Sequence, residues 1–299
     1  YREFVAQQSA DAIVEAWDKR SEGGIAYGYG YAVVGHSRRV VYFKEQQLEK
    51  VKAGERQFMT PPGYAVMYGK TNDPQFSHYE AGADHFVNAL YTYDAAGALT
   101  GILVNVPCPS QVSENFCVQT ADYWNEVRQG IRETFGEHIY VLPQCAAAGD
   151  TSPRILHYQA AQARRMRLKY GVDYQAEEDP DQKKFLKAMA ERRDIAERIV
   201  QAVKEIYNWS KKEILTDPVL KHKMELVPIH KRFITDEEVR MFRDNLQKLQ
   251  NLEPRQEGMT DKEYRVAMSR YRKDVDRNTN ALARYEQEKT EDPYLHTVV

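Results

Sequence analysis

The amino-acid sequence predicts an α/β fold, in which a mixed sheet core with helices in the first half is followed by a charged, all-helical excursion with an antiparallel helical hairpin. Three observations predict this fold class. Before Pro153, apolar residues alternate with small or polar ones at the period of two that is typical of strands. Helical patterns separate some of these segments, as in proteins that combine helices with a sheet. After Pro153, apolar residues recur at intervals of three and four, which is typical of helices.

This change of period predicts two parts of the chain. We expect residues 1–209 to form a partial α/β core, and residues 210–299 to form the helical excursion, which returns to a strand at the C-terminus. The sequence begins within a helical pattern and ends within a strand pattern. We therefore expect it to be an interior part of a longer protein.

The first elements follow from residues 1–63. Apolar residues on one face predict a helix that ends before Gly23. Tyrosines then alternate with glycines over residues 27–31, which predicts a strand packed closely against a neighbour on its glycine side. Residues 36–39 predict a turn and residues 40–43 a strand. The polar residues from there to Gly63 predict a long loop, and such loops are often functional.

The clearest local structure is a β-hairpin. Residues 86–93 and 99–106 have strand patterns, and Gly97 between them suits the left-handed position of the turn. Pro107 ends the second strand, because proline has no N–H group to donate within a sheet. A helical stripe then begins at Thr120 and ends before a glycine.

We expect the functional site of the chain to lie within residues 139–153. Ile139–Leu142 has the pattern of a short buried strand, and the small residues up to Gly149 allow a backbone or a ligand to approach closely. Ser152 and Pro153 predict a helix start, because a serine hydroxyl caps free N–H groups and proline is accommodated at the first helical position. The stretch is therefore predicted to be a strand-to-helix turn.

The second half of the chain is predicted to be almost wholly helical. One helix covers residues 155–169, an exposed polar loop follows over residues 173–184, and an apolar stripe over residues 195–206 predicts a further helix. Thr235–Glu238 and Thr260–Glu263 both have the pattern of a capping box, which marks a helix start. The apolar residues behind these two boxes predict the antiparallel helical hairpin.

Composition excludes several classes of function. The formal net charge of −2 gives no strong single-sign field, so we expect neither nucleic acid nor an anionic membrane surface as a partner. No apolar run is long enough for a transmembrane segment. The cysteines Cys108, Cys117 and Cys145 lack the paired spacing of a zinc ribbon or a redox site, so free buried thiols are expected. Pairing of Cys108 with Cys117 stays open for an exported protein.

Three side chains are candidates on their own chemistry. Ser152 is either a helix cap or a catalytic hydroxyl. Asp150 precedes the predicted helix, where free N–H groups stabilise a carboxylate, and a carboxylate at that place can equally orient a metal-bound water. Arg38 is either an ordinary surface arginine or a group that holds an oxyanion or a polar head group.

Several segments, in matching order, resemble the neutral/alkaline ceramidases, which are zinc-dependent hydrolases of the N-acyl bond of ceramide. Gly149–Pro153 reads Gly-Asp-Thr-Ser-Pro and looks like the Gly-Asp-x-Ser-Pro segment of that family. Gly35–Arg39 is similar to its Asn-Arg segment, with a serine in place of the asparagine and Arg38 on the arginine. Gly101–Val106 and then Thr120–Tyr123 are similar to a strand of the family and to the Ser-Ala-Asp-Tyr helix start that follows it.

The resemblance implies a role for each candidate residue. It implies a catalytic role for Ser152 and for Asp150 beside it. It implies substrate binding by Arg38, by the neighbouring His36, and at Gly149, where the absence of a side chain leaves room for a ligand.

Zinc is the cofactor that the resemblance implies for the full-length protein. The family holds zinc with two histidines, a glutamate and a tyrosine. One histidine comes shortly after the asparagine that resembles Asn105, but Val106–Gln111 contains no histidine, and the other ligands belong to segments before or after this chain. We therefore expect no family zinc ligand in this chain. Whether Cys108 replaces one stays open.

The resemblance leads to one main hypothesis and one alternative. The main hypothesis is a ceramidase-like hydrolase of the amide bond in an N-acyl, lipid-like substrate, metal-assisted in the intact protein. The alternative is a non-catalytic relative that keeps the fold as a binding or assembly protein, and the helical hairpin would then mediate a homo-oligomer. A secreted or periplasmic location is expected by resemblance, although the chain itself shows no signal peptide.

Overall fold

The structure is a computed structural model and describes residues 2–43, 64–116 and 119–298. The larger sheets lie in the first part of the chain and long helices predominate in the second, so the predicted α/β fold class is confirmed. The predicted loop up to Gly63 and the residue Cys117 lie outside the described residues. The chain divides into two compact units, Tyr1–Pro218 and Val219–Val299.

The helices and strands of the described residues are numbered in chain order. The helices are α1 (Arg2–Asp18), α2 (Tyr123–Phe135), α3 (Gln159–Tyr170), α4 (Pro180–Ser210), α5 (Asp236–Gln250) and α6 (Asp261–Glu288). The strands are β1 (Gly23–Tyr31), β2 (His36–Ser37), β3 (Arg39–Tyr42), β4 (Tyr64–Met67), β5 (Phe76–Tyr79), β6 (Phe86–Asp94), β7 (Leu99–Val106), β8 (Tyr140–Cys145), β9 (Thr151–Ser152), β10 (Leu226–His230) and β11 (Tyr294–Val298).

The main sheet of the first unit has the strand order β1-β6-β7-β8. The predicted hairpin is confirmed as β6 and β7, with Gly97 at a φ of +80° in the turn. Strand β8 lies parallel to β7, whereas the other neighbours are antiparallel. A parallel neighbour needs a crossover connection, and helix α2 supplies it.

One face of the main sheet packs against helices α2 and α4. The glycines of β1 allow α4 to approach closely, since a Cβ atom on Gly28 would lie 2.1 Å from a ring carbon of Trp209. The Tyr91 side chain is fully buried under this helix, and its hydroxyl donates to the Val203 carbonyl at 2.6 Å. The close packing that was predicted for the glycine side of β1 is confirmed.

Some predicted boundaries in the first half are wrong. Residues 36–39 do not form a turn, because residues 36–37 are in β2 and residues 39–42 in β3. Strand β3 pairs with β4 on one side and with β5 on the other, in a small three-stranded sheet. Helix α1 forms as predicted, but its apolar stripe is not packed, because none of its residues is buried.

The boundaries after residue 153 also differ from the prediction. The helix predicted over residues 155–169 begins only at Gln159, as α3. The loop predicted over residues 173–184 is shorter, because α4 begins at Pro180 behind an N-cap at Asp179. The Asp179 carboxylate accepts an N–H from Asp181 at 2.9 Å, and proline suits the first helical position.

The second unit contains the predicted helical hairpin. Helices α5 and α6 contact each other, and both predicted capping boxes are present. In the seam, the Asn245 side chain donates to the Asn278 side chain at 3.4 Å. The C-terminal strand is confirmed as β11, and its partner β10 was not predicted. Among the described residues, no helix combines the length and the apolar character needed to cross a bilayer.

Candidate functional site

Two short strands bring four of the candidate residues together. Strands β2 and β9 pair antiparallel, so that His36 lies opposite Ser152. Immediately beside this pair, the Arg38 backbone N–H donates to the Asp150 carbonyl at 3.2 Å. Residues from two distant segments of the sequence therefore lie at one place in the fold.

Ser152 is not the helix cap that its sequence context predicts. It lies in β9, and helix α3 begins only after Tyr158, which has a φ of +55° and makes no capping hydrogen bond with its side chain. The Ser152 side chain is fully buried, and its hydroxyl accepts the Arg154 backbone N–H at 3.2 Å. The prediction from Ser152 and Pro153 was wrong because the fixed φ of proline is compatible with the end of a strand as well as with the start of a helix.

Asp150 and Gly149 are exposed in the turn before β9. Asp150 does not precede a helix, so the predicted stabilisation of its carboxylate by helical N–H groups is wrong. A Cβ atom on Gly149 would meet no atom within 4 Å, so packing within the described chain does not require a glycine there.

A third segment, the end of β7 and the residues that follow it, contacts the paired strands β2 and β9. The Thr151 hydroxyl donates to the Pro107 carbonyl at 3.2 Å, and the Ala146 N–H donates to the Val106 carbonyl at 3.1 Å. A Cβ atom on Gly35 would lie 2.9 Å from the Pro107 carbonyl oxygen, which explains the glycine before β2. The segments around β2, β7 and β9 that resemble one family thus converge.

Asp122 and Tyr123 hold the loop that follows β7. The buried Asp122 carboxylate accepts backbone N–H groups from Val112 at 3.2 Å, from Ser113 at 2.6 Å and from Tyr123 at 2.9 Å. The buried Tyr123 hydroxyl donates to the Cys108 carbonyl at 2.7 Å. These bonds fix the loop against the site, so the Asp-Tyr pair has a structural function here.

Cys108 is a free, buried thiol. Burial raises its pKa to about 12, so it carries a proton at neutral pH, whereas the thiolate is the form that binds metals. Among the described residues, no group of three or more His, Cys, Asp or Glu side chains could hold a metal ion. The described residues therefore do not fit a zinc site.

His36 is a neutral histidine. Burial, together with smaller contributions from the positive charge of Arg198 and from the nearby His85 ring, lowers its pKa to about 4. A neutral imidazole donates one hydrogen bond and accepts another. At neutral pH, His36 can therefore bind an uncharged amide without bringing a charge into the site.

An apolar groove is lined by His36. Its volume is about 620 Å³, within the range of sites that enclose small ligands. Its walls include Phe76, Tyr79, Leu156 and His157. The His157 ring stacks on Phe76 with 6.1 Å between ring centroids. The groove therefore offers a mostly apolar surface with a neutral imidazole beside it.

Two polar nitrogen atoms at this site have no hydrogen-bond partner in the described part of the chain. They are Nε of Arg38 and Nδ1 of His85, and both atoms are buried. His85 lines the groove, and Arg38 follows the groove residues His36 and Ser37 in the chain without lining it. An unsatisfied buried polar atom costs about 1–3 kcal/mol, and a bound ligand that supplies the missing partner recovers part of this cost.

The low pKa of His36 predicts a loss of stability in acid. Between about pH 6.5 and about pH 4, the unfolded chain binds a proton on this histidine and the folded chain does not, so the free energy of unfolding falls as the pH is lowered. The full effect is at most about 3 kcal/mol, and partial exposure reduces it. Urea denaturation at both ends of this range should show a smaller pH dependence in His36→Gln than in the wild type.

The exposed His138 provides the control for this experiment. His138→Gln removes a histidine outside the site and should keep the pH dependence of the wild type. Equal pH dependence in the wild type and His36→Gln would contradict the buried, neutral state of His36.

Comparison with known proteins finds partial structural similarity to solved structures of ceramidases. No protein-family model and no curated protein matches the chain. Two ceramidases are among the solved structures that are similar to the chain. The neutral ceramidase from Pseudomonas aeruginosa has a TM-score of 0.40 and 18% identity, with 73% of this chain and 28% of that chain covered. A ceramidase complexed with C2 has a TM-score of 0.35 and 17% identity, with 69% of this chain and 26% of that chain covered. The chain thus spans about a quarter of the length of these ceramidases.

Proposed function

We propose that the intact protein containing this chain hydrolyses the amide bond of N-acyl, lipid-like substrates. The observation that carries the proposal is the pairing of β2 with β9, which places His36 and Arg38 beside Asp150 and Ser152. The resemblance of these two segments to the neutral ceramidases supports it, because segments that are distant in sequence and resemble one family meet in the fold.

In this proposal, the groove beside β2 receives the apolar chain of the substrate. Its aromatic and aliphatic walls favour burial of methylene groups, at about 0.8 kcal/mol for each. The polar end of the substrate then lies at His36 and Arg38. The Arg38 side chain then turns so that its buried, unpartnered Nε donates a hydrogen bond to a substrate oxygen, and the neutral His36 ring bonds to the amide.

The hydroxyl of Ser152 is proposed to contact the scissile carbonyl. For this contact, the hydroxyl exchanges its present bond to the Arg154 N–H for one to the substrate. Asp150 is exposed in the turn before β9, and its carboxylate orients the attacking water. The resemblance also implies zinc in the intact protein, with ligands outside the described residues.

A second candidate function is binding without hydrolysis. The observation that favours it is the complete burial of Ser152, whose hydroxyl is already hydrogen-bonded within the chain. A relative that kept the fold and lost the chemistry would use the same groove to hold a lipid-like amide. The two candidates differ in one measurable outcome, since only the first converts the bound amide to a free fatty acid and an amine.

Arg38 and its neighbour Arg39 provide a matched test of the proposed substrate contact. We expect Arg38→Gln to lower kcat/KM of the intact protein at least about tenfold on an N-acyl amide, because it removes a charge-assisted donor, and such a bond is worth about 1.5–3 kcal/mol. Arg39 forms an ion pair with Glu80 at the surface, so Arg39→Gln should leave kcat/KM within about twofold of the wild type.

The activity of both variants is measured by the release of fatty acid, and circular dichroism checks that they are folded. Equal losses of activity in Arg38→Gln and Arg39→Gln would count against a substrate contact by Arg38. Binding and hydrolysis of the amide by Arg38→Gln at the wild-type level would also count against this contact.

A further inference from the structure

In the described part of the first unit, helices α2 and α4 pack against one face of the main sheet, and side chains of the other face are exposed. The register places one set of alternating side chains on this open face, and six of its large apolar members are between 43% and 79% exposed: Tyr27, Tyr29, Tyr31, Phe86, Tyr140 and Leu142. Soluble monomers rarely leave so large a contiguous apolar surface in water, and such surfaces mark interaction sites.

The strand register arranges the open face in rows. One row across the four strands is polar and consists of Tyr29, Asn88, Asn105 and Gln144. The next row is apolar and consists of Tyr27, Leu90, Leu103 and Leu142. At one end of the sheet, three rings form a cluster with centroids 5.0–6.0 Å apart: Tyr29, Tyr31 and Phe86.

Neither row carries a charged side chain, and the ring cluster carries none. Phosphate backbones and anionic lipid surfaces are held by lysine and arginine, so the open face does not suit them. A partner for this face must itself present an uncharged surface, because a charge buried against it would lose its hydration without gaining a partner.

A second copy of the same chain meets these requirements. Side-chain amides both donate and accept hydrogen bonds, so a row of amides can pair with its own copy across a two-fold axis. Asn88 and Gln144 are exposed and can present their amides to a facing row, whereas the Asn105 side-chain oxygen is buried and has no hydrogen-bond partner among the described residues. The side chains of the two rows add no like-charge repulsion between two identical faces, and Glu213 lies beside the rows.

The area of the face is large enough for a stable dimer. The six exposed apolar side chains offer on the order of 800 Å², which is about what each partner contributes to a standard protein interface. Two sheets that pack face to face lie about 10 Å apart, a distance that their interdigitating side chains fill.

We propose that the open face is a homodimer interface, in which the main sheets of two copies stack about a two-fold axis. The leucine row and the ring cluster of each copy cover those of the other, and the amide rows pair. This interface is separate from the helical hairpin, whose role in self-association stays a sequence-based prediction. It is also independent of the proposed hydrolase activity.

Sedimentation velocity over about 1–50 µM protein tests the proposal, because a dimer is favoured by mass action. We expect the intact protein to form a species of twice the mass of one copy. Leu142→Lys should shift the protein to the monomer, since it buries an unpaired charge in the interface. Leu168→Lys is the matched control: Leu168 lies on α3 and is 60% exposed, whereas Leu142 is 56% exposed. The control variant should stay dimeric.

A wild-type protein that is monomeric over the whole range would overturn the proposal. So would a dimer that persists in both Leu142→Lys and Tyr29→Glu, because the contact would then lie elsewhere, for example on the helical hairpin. Both substituted side chains are exposed in the single chain, so the variants should remain folded, and circular dichroism checks this.

Discussion

Replacing Ser152 with alanine is expected to lower the turnover of the intact protein on an N-acyl amide at least about a hundredfold. Loss of a positioned polar group at the reacting carbonyl typically costs about 10²–10³ in kcat. The same change removes the hydrogen bond to the Arg154 N–H, so it should also cost about 1 kcal/mol of stability. A folded variant with almost no turnover is therefore the expected result.

Thr151 supplies a control within the same strand. Its hydroxyl is also buried, and it donates to the Pro107 carbonyl, so Thr151→Val removes a comparable hydrogen bond without touching Ser152. We expect Thr151→Val to lower the free energy of unfolding by about 1 kcal/mol and to keep turnover within a few-fold of the wild type. If both variants keep full turnover, or both lose it equally, the Ser152 hydroxyl has only a structural function.

Replacing Asp194 with asparagine is expected to lower the free energy of unfolding by about 3 kcal/mol. The Asp194 side chain is 2% exposed and pairs with Arg165 at 2.8 Å, with Lys169 at 3.0 Å and with Arg198 at 3.1 Å. Loss of one partner of a buried ion pair costs about 3–5 kcal/mol, and the partial exposure of the three cations favours the lower end of this range. Urea denaturation at pH 7 measures the loss.

The contribution of Asp194 to the free energy of unfolding should depend on pH. Burial alone would raise the pKa of this carboxyl, but the Arg165 hydrogen bond and the Arg198 charge hold it below its usual value. The contribution to stability is then fully present above the ordinary pKa of about 3.8, and it is lost as the pH falls through the lower pKa of the folded state. Asp194→Asn should remove this acid-sensitive part of the stability.

The exposed Glu205 lies on the same helix and serves as the control. Glu205→Gln should change the free energy of unfolding by no more than about 0.5 kcal/mol. Equal stability of wild type and Asp194→Asn at pH 7 would contradict the account of this cluster. The cluster also supports the site, because Arg198 donates to the Val33 carbonyl shortly before β2.

Elements with a strong local signal were predicted from the sequence. The β6–β7 hairpin depends on alternating residues and on Gly97, and both capping boxes depend on residues three apart. The predicted start of α3 was wrong, because a serine followed by a proline occurs both at helix starts and at the end of a strand. Here the pairing of β9 with β2 determines the conformation instead.

The geometry of the site could be predicted only in part. The residues His36 and Ser152 were both candidates, but strands of two residues have no periodicity that would reveal their pairing. The groove depends on residues such as Phe76 and His85, which come from different elements and share no sequence motif. Their role follows from tertiary packing, which a single sequence does not display.

The most direct test of the central claim is the release of fatty acid from an N-acyl lipid amide by the intact protein, measured with zinc in the buffer. The account predicts many turnovers for each protein molecule, at a rate that Ser152→Ala suppresses and Thr151→Val does not. Binding of the amide without release of fatty acid would contradict hydrolysis and assign the β2–β9 site to a non-catalytic binding protein.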